Sequence, residues 1–289
     1  MRWIPALWVF GLGATLIAPS QSAPAGAPAV SGNSSARPEP PRTSAAFDSS
    51  AVTDWTEVGR RIAAPTADGP AYVVIYAKGQ HDFGRVLANE KTPAPEVLDQ
   101  QVEKSLAQLH YLRADAKHQP AYLIVFSWGS HRALVYNSQD AGFANLLDRA
   151  ALVGGNRFAN ELKTALDRDV SASDATSNAA FGAQMPGMRP VSAADLFGSI
   201  SPLERFRKRD QKTEDLLNQI SNDCYYVIIS AFDYASVGQG KSQLLWRTKL
   251  TTTSPGTALA DAVPSLIASG AGYLGRSMNE AELFSYSGR

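Results

Sequence analysis

Residues 224–234 (Cys-Tyr-Tyr-Val-Ile-Ile-Ser-Ala-Phe-Asp-Tyr) constrain this chain more than any other segment. The run is rich in β-branched and aromatic residues, and its apolar side chains do not alternate with polar ones. A strand that is apolar on both sides must be covered on both sides, so it belongs in the middle of a sheet with other layers over each face. An isolated hairpin cannot supply that cover.

Two further runs have the same character. Residues 71–78 (Ala-Tyr-Val-Val-Ile-Tyr-Ala-Lys) and 121–128 (Ala-Tyr-Leu-Ile-Val-Phe-Ser-Trp) read as buried strands. Between them, Pro95 suits a helix first turn. Leu98, Val102, Leu106, Leu109 and Leu112 then recur at steps of four, four, three and three, which is one helical stripe. Strand, helix and strand within about 60 residues predict a βαβ crossover with parallel strands. Residues 244–252 alternate, with Leu244, Trp246, Thr248 and Leu250 on one side and Arg247 and Lys249 on the other. That pattern predicts a strand with one solvated face, antiparallel to residues 224–234.

Four helical stretches complete the reading. Phe143, Leu146, Leu147 and Ala150 share a face, with Asp140 as a candidate cap. Gly154-Gly155-Asn156 breaks the chain before a second stretch lined by Phe158, Leu162, Ala165 and Leu166. Residues 202–222 form a third, with Leu203, Phe206, Thr213, Leu217 and Ile220 inward, and residues 257–274 a fourth, weakened by Pro264, Gly270 and Gly272. Residues 171–201, poor in large apolar side chains over their first twenty positions, read as a flexible excursion. The sum is an α/β chain, with α+β as the alternative: a single mixed β-sheet with helices packed against it, spanning residues 47–289.

Ahead of this domain, Arg2 is the only charge before Arg37, and residues 3–17 are almost continuously apolar. Small residues and prolines follow, which is the grammar of a secretory signal peptide. Residues 1–25 are the expected signal, with cleavage after Ser22, Ala25 or Ala27, and residues 26–46 a disordered Pro/Ala/Ser-rich tether. The competing reading, an uncleaved anchor, wants roughly 20 apolar residues, whereas this run is shorter and Pro19 ends it. No cysteine follows the run to carry a lipid, and no second run is long enough for a membrane span. The expected location is periplasmic or secreted, away from pools of ATP and NAD.

Charge and cysteine content exclude several functions. With 27 basic and 27 acidic side chains, the chain is neutral overall and unsuited to general nucleic-acid binding. One cysteine, Cys224, excludes an internal disulfide framework and any zinc or iron–sulfur site built on several thiolates.

The remaining motifs are weak. Residues 235–242 (Ala-Ser-Val-Gly-Gln-Gly-Lys-Ser) resemble a phosphate-binding loop if alanine is allowed first, but such a loop must open a helix, and the next residues alternate like a strand. Lys241 is expected to be a solvated hairpin-loop residue. His81, His110, His118 and His131 include no i, i+4 pair of the zinc-hydrolase kind, and there is no G-x-S-x-G elbow. His81, Asp82, Ser130, His131 and Asp233 lie at expected strand ends, where α/β domains place their sites. They define a rival hydrolase reading, although Ser130 and His131, being adjacent in an extended chain, point apart. The basic cluster 205–209 is flanked by Glu204, Asp210, Glu214 and Asp215, which suits a solvated helix face better than an anion-binding one.

Tyr225-Tyr226-Val227-Ile228-Ile229-Ser230-Ala231-Phe232-Asp233, Leu244-Leu245-Trp246-Arg247-Thr248 and the stretch ending in Tyr273-Leu274-Gly275-Arg276 resemble uncharacterised exported bacterial envelope proteins. They are similar, too, to small α/β domains of unknown function in envelope lipoproteins. The resemblance covers the last quarter of the chain well and the first βαβ unit loosely, and this chain lacks the lipoprotein cysteine. It implies a compartment and a fold type, and brings no catalytic residue. No catalytic, cofactor-binding or metal-ligating residue is assigned. The expected function is a non-enzymatic interaction or structural module of the envelope or medium, acting on an envelope protein or a ligand. A hydrolase assembled from strand-end loops is the alternative, and nucleotide binding at 235–242 a distant third.

Overall fold

Strand β5 (Cys224–Asp233) occupies the middle of a seven-stranded sheet in the computed structural model, which describes residues 48–84, 90–132, 139–182, 202–254 and 256–285. The expected signal and tether lie outside the described residues. The other strands are β1 (Ser49–Trp55), β2 (Ala71–Gln80), β3 (Tyr111–Arg113), β4 (Tyr122–His131), β6 (Leu244–Thr253) and β7 (Glu282–Phe284). Their order is β3-β2-β4-β5-β6-β1-β7. β2 runs parallel to β3 and β4, and every other pairing is antiparallel, so the sheet is mixed. β5 bonds β4 along one edge and β6 along the other, as its apolar sequence demands. The two edge strands are only three residues long, which limits the backbone left open to another chain.

The predicted crossover is present. β2 leads through helix α1 (Pro95–Ala107) to the short β3 and then to β4. Leu98, Val102 and Leu106 form the buried stripe of α1. The helix stops at Ala107, so Leu112 falls in β3. His110 makes the turn between them at a φ of 63°.

Among the described residues there are seven helices. On one face, α1 and α7 (Leu259–Ser269) bury Ala51, Val73, Ile124, Phe126, Trp128, Val227, Ile229 and Leu250. The other helices are α2 (Gln139–Val153), α3 (Gly155–Gly182), α4 (Pro202–Arg207), α5 (Gln211–Ser221) and the single turn α6 (Tyr234–Gly238). On the second face, α2, α3 and α5 pack Ala150, Val153, Phe158, Leu162, Leu217 and Ile220 against Val52. Among the described residues this second layer lies over β1 and β6 and stops short of β2, where Tyr76 is 58% exposed. Pro264 sits inside α7, at a cost of about 3 kcal/mol. Fully burying aliphatic side chains returns about 1.5–3 kcal/mol each, and α7 buries Leu259, Val263, Leu266 and Ile267, so the helix persists through the proline.

Three expectations need correction. Residues 202–222 form two helices, α4 and α5. The break falls before Asp210, whose side chain caps α5 by accepting from the Thr213 N–H at 2.7 Å. Helix α3 runs on through residues 171–182, and residues 183–201, the rest of the expected excursion, lie outside the described residues. α2 begins at Gln139, so Asp140 is inside the helix rather than its cap. The second face of β6 is covered. Lys249 is buried there, with its ammonium 2.9 Å from Asp54 and donating to the Ala151 carbonyl at 2.9 Å. Its long alkyl stem lets a charged residue occupy a packed face when the head finds a partner.

The α2–α3 junction depends on glycine. Gly155 has a φ of +84°, and a Cβ there would lie 2.7 Å from Val52 Cγ2 on β1. Gly155→Ala is therefore expected to lower stability by about 1–3 kcal/mol, measured by chemical denaturation, whereas Gly238→Ala, which meets nothing within 4 Å, should change it far less.

Candidate functional site

Parallel β2 and β4 end at the same edge of the sheet, and antiparallel β5 begins there. His81 and Asp82 follow β2, and Ser130 and His131 close β4, so four of the five strand-end candidates meet. Asp233 does not join them. It ends β5 and pairs with Tyr122 at the opposite edge, where it caps α6 through the Ser236 N–H. Antiparallel pairing carries the carboxyl end of β5 away from that of β4, a consequence that strand identification alone does not reveal.

The chain after β2 does not project as a free loop. It continues along β4, with His81 N–H donating to the Trp128 carbonyl at 2.8 Å, Phe83 N–H to Ser130 at 2.8 Å, and Arg132 N–H to Phe83 at 3.0 Å. Gly129 permits this approach, since a Cβ at that position would lie 1.8 Å from the His81 carbonyl oxygen. Tyr226 donates its hydroxyl to the same carbonyl.

Asp82 is fully engaged. Its Oδ1 accepts the backbone N–H and the hydroxyl of Ser130, each at 2.8 Å, and its Oδ2 accepts from Gln80 at 2.6 Å. Ser130 is 1% exposed. Acyl transfer needs a base between nucleophile and acid. Here the carboxylate bonds the hydroxyl directly, and His131 projects to the opposite face of β4, stacked on the Phe83 ring with centroids 5.5 Å apart. The Ser-His-Asp combination is assembled at one edge without forming a relay. Its Asp82–Ser130 pair pins the chain after β2 to β4.

On the Ser130 face, Arg132 sits between two carboxylates, 2.8 Å from Glu90 and 3.4 Å from Asp223, and 6.0 Å above the Tyr225 ring. Tyr225 donates its hydroxyl to Glu90 at 2.6 Å. Burial and the adjacent Glu90 carboxylate push the Tyr225 phenol up to about 12. On the His131 face, Arg149 of α2 is 2% exposed and donates to the Asn222 carbonyl. Burial lowers the Arg149 pKa. The Nε of Arg132, the Nε of Arg149 and the Nδ1 of His131 are buried without a hydrogen-bond partner among the described residues. Burial, reinforced by the Arg149 charge, holds His131 down at about 4. The Cys224 thiol is buried against the His131 carbonyl, and burial pushes it up to about 11, far from the thiolate a nucleophile or ligand requires.

Glu90, Arg149 and Asp223 were not legible as members of this cluster. They arrive from the approach to α1, from α2 and from the turn before β5, and no spacing in the sequence links them. Arg132 was visible only as a neighbour of His131. Elsewhere, residues 235–242 form α6 and a turn leading into β6, so the helix precedes the glycines and no helix N-terminus faces Lys241, which is exposed. The phosphate-loop geometry is absent there. His118 stacks on Tyr72 at 4.2 Å and bonds Asp115 at 2.9 Å. No group of three or more His, Cys, Asp or Glu side chains suited to a metal occurs among the described residues. No described helix is long and apolar enough to cross a membrane. In comparisons with known proteins, the chain matches no protein-family model and no curated protein.

Two outcomes follow from the dry environment of this edge. The unfolded chain protonates His131 near its ordinary 6.5, while the folded chain holds it neutral down to about 4. Stability should be complete above about pH 6.5 and fall by up to about 3 kcal/mol as pH drops to about 4, and His131→Gln should flatten that slope in denaturation curves taken across the interval. Cys224 should resist an aromatic disulfide reagent at pH 8 in the native protein and react at once in denaturant, read by absorbance.

Proposed function

We infer that the protein is an exported, non-enzymatic binding module of the cell envelope or surrounding medium, akin to the envelope proteins its C-terminal quarter resembles. One observation carries the non-enzymatic part: the carboxylates of Asp82 and Glu90 and the hydroxyl of Ser130, gathered at the carboxyl edge of β2 and β4, are engaged with their neighbours. Asp82 is spent on Ser130 and Gln80, and Glu90 on Arg132 and Tyr225. A hydrolase needs a nucleophile or activated water open to substrate, and Ser130 is buried with its hydroxyl donated. Export rests on the apolar run at residues 3–17 and the small residues after it.

The test is expression of the full chain in a Gram-negative host, with N-terminal sequencing of the periplasmic and cytosolic products and ester hydrolysis measured on the purified protein. The expected product is periplasmic, begins between residues 23 and 28, and hydrolyses p-nitrophenyl esters no faster than its Ser130→Ala variant. Recovery only from the cytosol with residues 1–22 attached would overturn export. Turnover abolished by Ser130→Ala in a variant that melts like the parent would overturn the non-enzymatic reading in favour of the hydrolase.

A further inference from the structure

A second place in the fold is built differently. Between α3 and α4 lies a cleft of about 470 Å³, within the range of small-molecule sites. Ala165 and Phe206 give it an apolar floor, and among the described residues Arg168, Arg205, Arg209 and Glu161 bring charged groups to it.

The floor is fixed. Phe206 packs on Phe158 of α3 with ring centroids 5.6 Å apart, which seats α4 on the helix behind it. The Arg209 guanidinium lies 5.3 Å from the centre of the Phe206 ring. Both oxygens of Glu161 are taken, Oε2 by Arg209 at 2.6 Å and Oε1 by Arg157 at 3.0 Å, and Arg209 also pairs with Asp210 at 3.1 Å. The hydrogen bond from Arg209 is the first cause holding the Glu161 carboxyl below its usual range. Arg168, which is exposed, pairs with no carboxylate among the described residues. The basic run 205–209 is thereby divided. Arg205, Phe206 and Arg209 turn into the cleft, while Lys208 lies 3.9 Å from Glu204 one turn away.

Guanidinium groups present paired donors that match the two oxygens of a carboxylate or phosphoryl group. A flat aromatic floor beneath them suits an apolar body attached to that anion. We propose that the α3–α4 cleft binds a small organic anion, a carboxylate or phosphate carried on an aromatic or aliphatic body, with Arg168 and Arg205 receiving the charge and Phe206 the apolar part. The proposal names a ligand class for the binding module inferred above, yet its test uses purified protein and does not depend on export.

The experiment is isothermal titration with 2-naphthoate and with its uncharged analogue 2-naphthalenemethanol. The carboxylate should bind at least about tenfold more tightly, because the guanidinium groups recognise the charge. Arg168→Gln and Arg205→Gln should each weaken naphthoate about three- to tenfold and leave the alcohol unchanged. Phe206→Leu should weaken both compounds, and Lys241→Gln, on a different part of the chain, neither. Melting curves establish that each variant is folded. Equal affinity for acid and alcohol, unchanged naphthoate affinity in both arginine variants, or no saturable binding below about 10 mM would each overturn the proposal.

Discussion

Strand β5 has neither a free edge nor, over most of its length, a free face. β4 and β6 satisfy its backbone, with pairing running from His131 opposite Cys224 to Tyr122 opposite Asp233 on one side. Tyr225, Val227 and Ile229 point to the layer of α1 and α7, and Cys224 and Tyr226 to the other. A slip of one residue would exchange the two sets, so burial on both faces fixes the register. It also requires its two neighbours to be strands along their whole length, since a buried N–H or carbonyl without a partner costs as much as a lost hydrogen bond. The polar seam between β1 and β6 obeys the same rule: Ser50 meets the Thr251 hydroxyl at 2.6 Å and Thr53 meets Thr248 at 2.8 Å, deep in the sheet.

Where β5 begins, this dryness acts on charge. His131, Arg132, Arg149 and Cys224 are each under a tenth exposed. Arg132 keeps its charge because Glu90 and Asp223 stand beside it. His131 and Cys224 are instead driven to their neutral forms. A buried ion pair contributes little net stability, but removing one partner leaves a costly lone charge. The edge is therefore an arrangement that holds the chain after β2 in place, while the helical layer at α3 and α4 keeps its arginines in reach of solvent. Chemically similar residues serve opposite ends in the two places because of the water around them.

The sequence made the centre of the sheet legible. The apolar runs of β2, β4 and β5, the first three positions of the α1 stripe and the glycine break between α2 and α3 all depend on local pattern, and each stands where that pattern put it, whereas Leu112 passes to β3. What was not legible depends on distant partners. β1 (Ser-Ser-Ala-Val-Thr-Asp-Trp) is half polar, and becomes a strand because β6 and β7 bond it on both sides. β3 and β7, at three residues each, are too short to show a period. Lys249 looked solvated because a charge usually is, and only Asp54 across the sheet and Ala151 on α2 explain its burial. At the strand edge, four of five candidates converged, but their geometry removed the chemistry that their residue types suggested.

The position of β1 has one more consequence. Ser49 pairs with Thr252 on one side and with Phe284 on the other, so the first of the described strands makes its backbone ladder only with segments from the far end of the sequence. Contacts of such long sequence separation form late and slow the search for the native state. A growing chain that has not yet delivered residues 244–253 and 282–284 has no strand to bond the backbone of β1, although Val52 can already pack on the helices that follow it. The backbone ladder of β1 therefore spans nearly the whole described sequence and cannot be complete before residues 282–284 are in place.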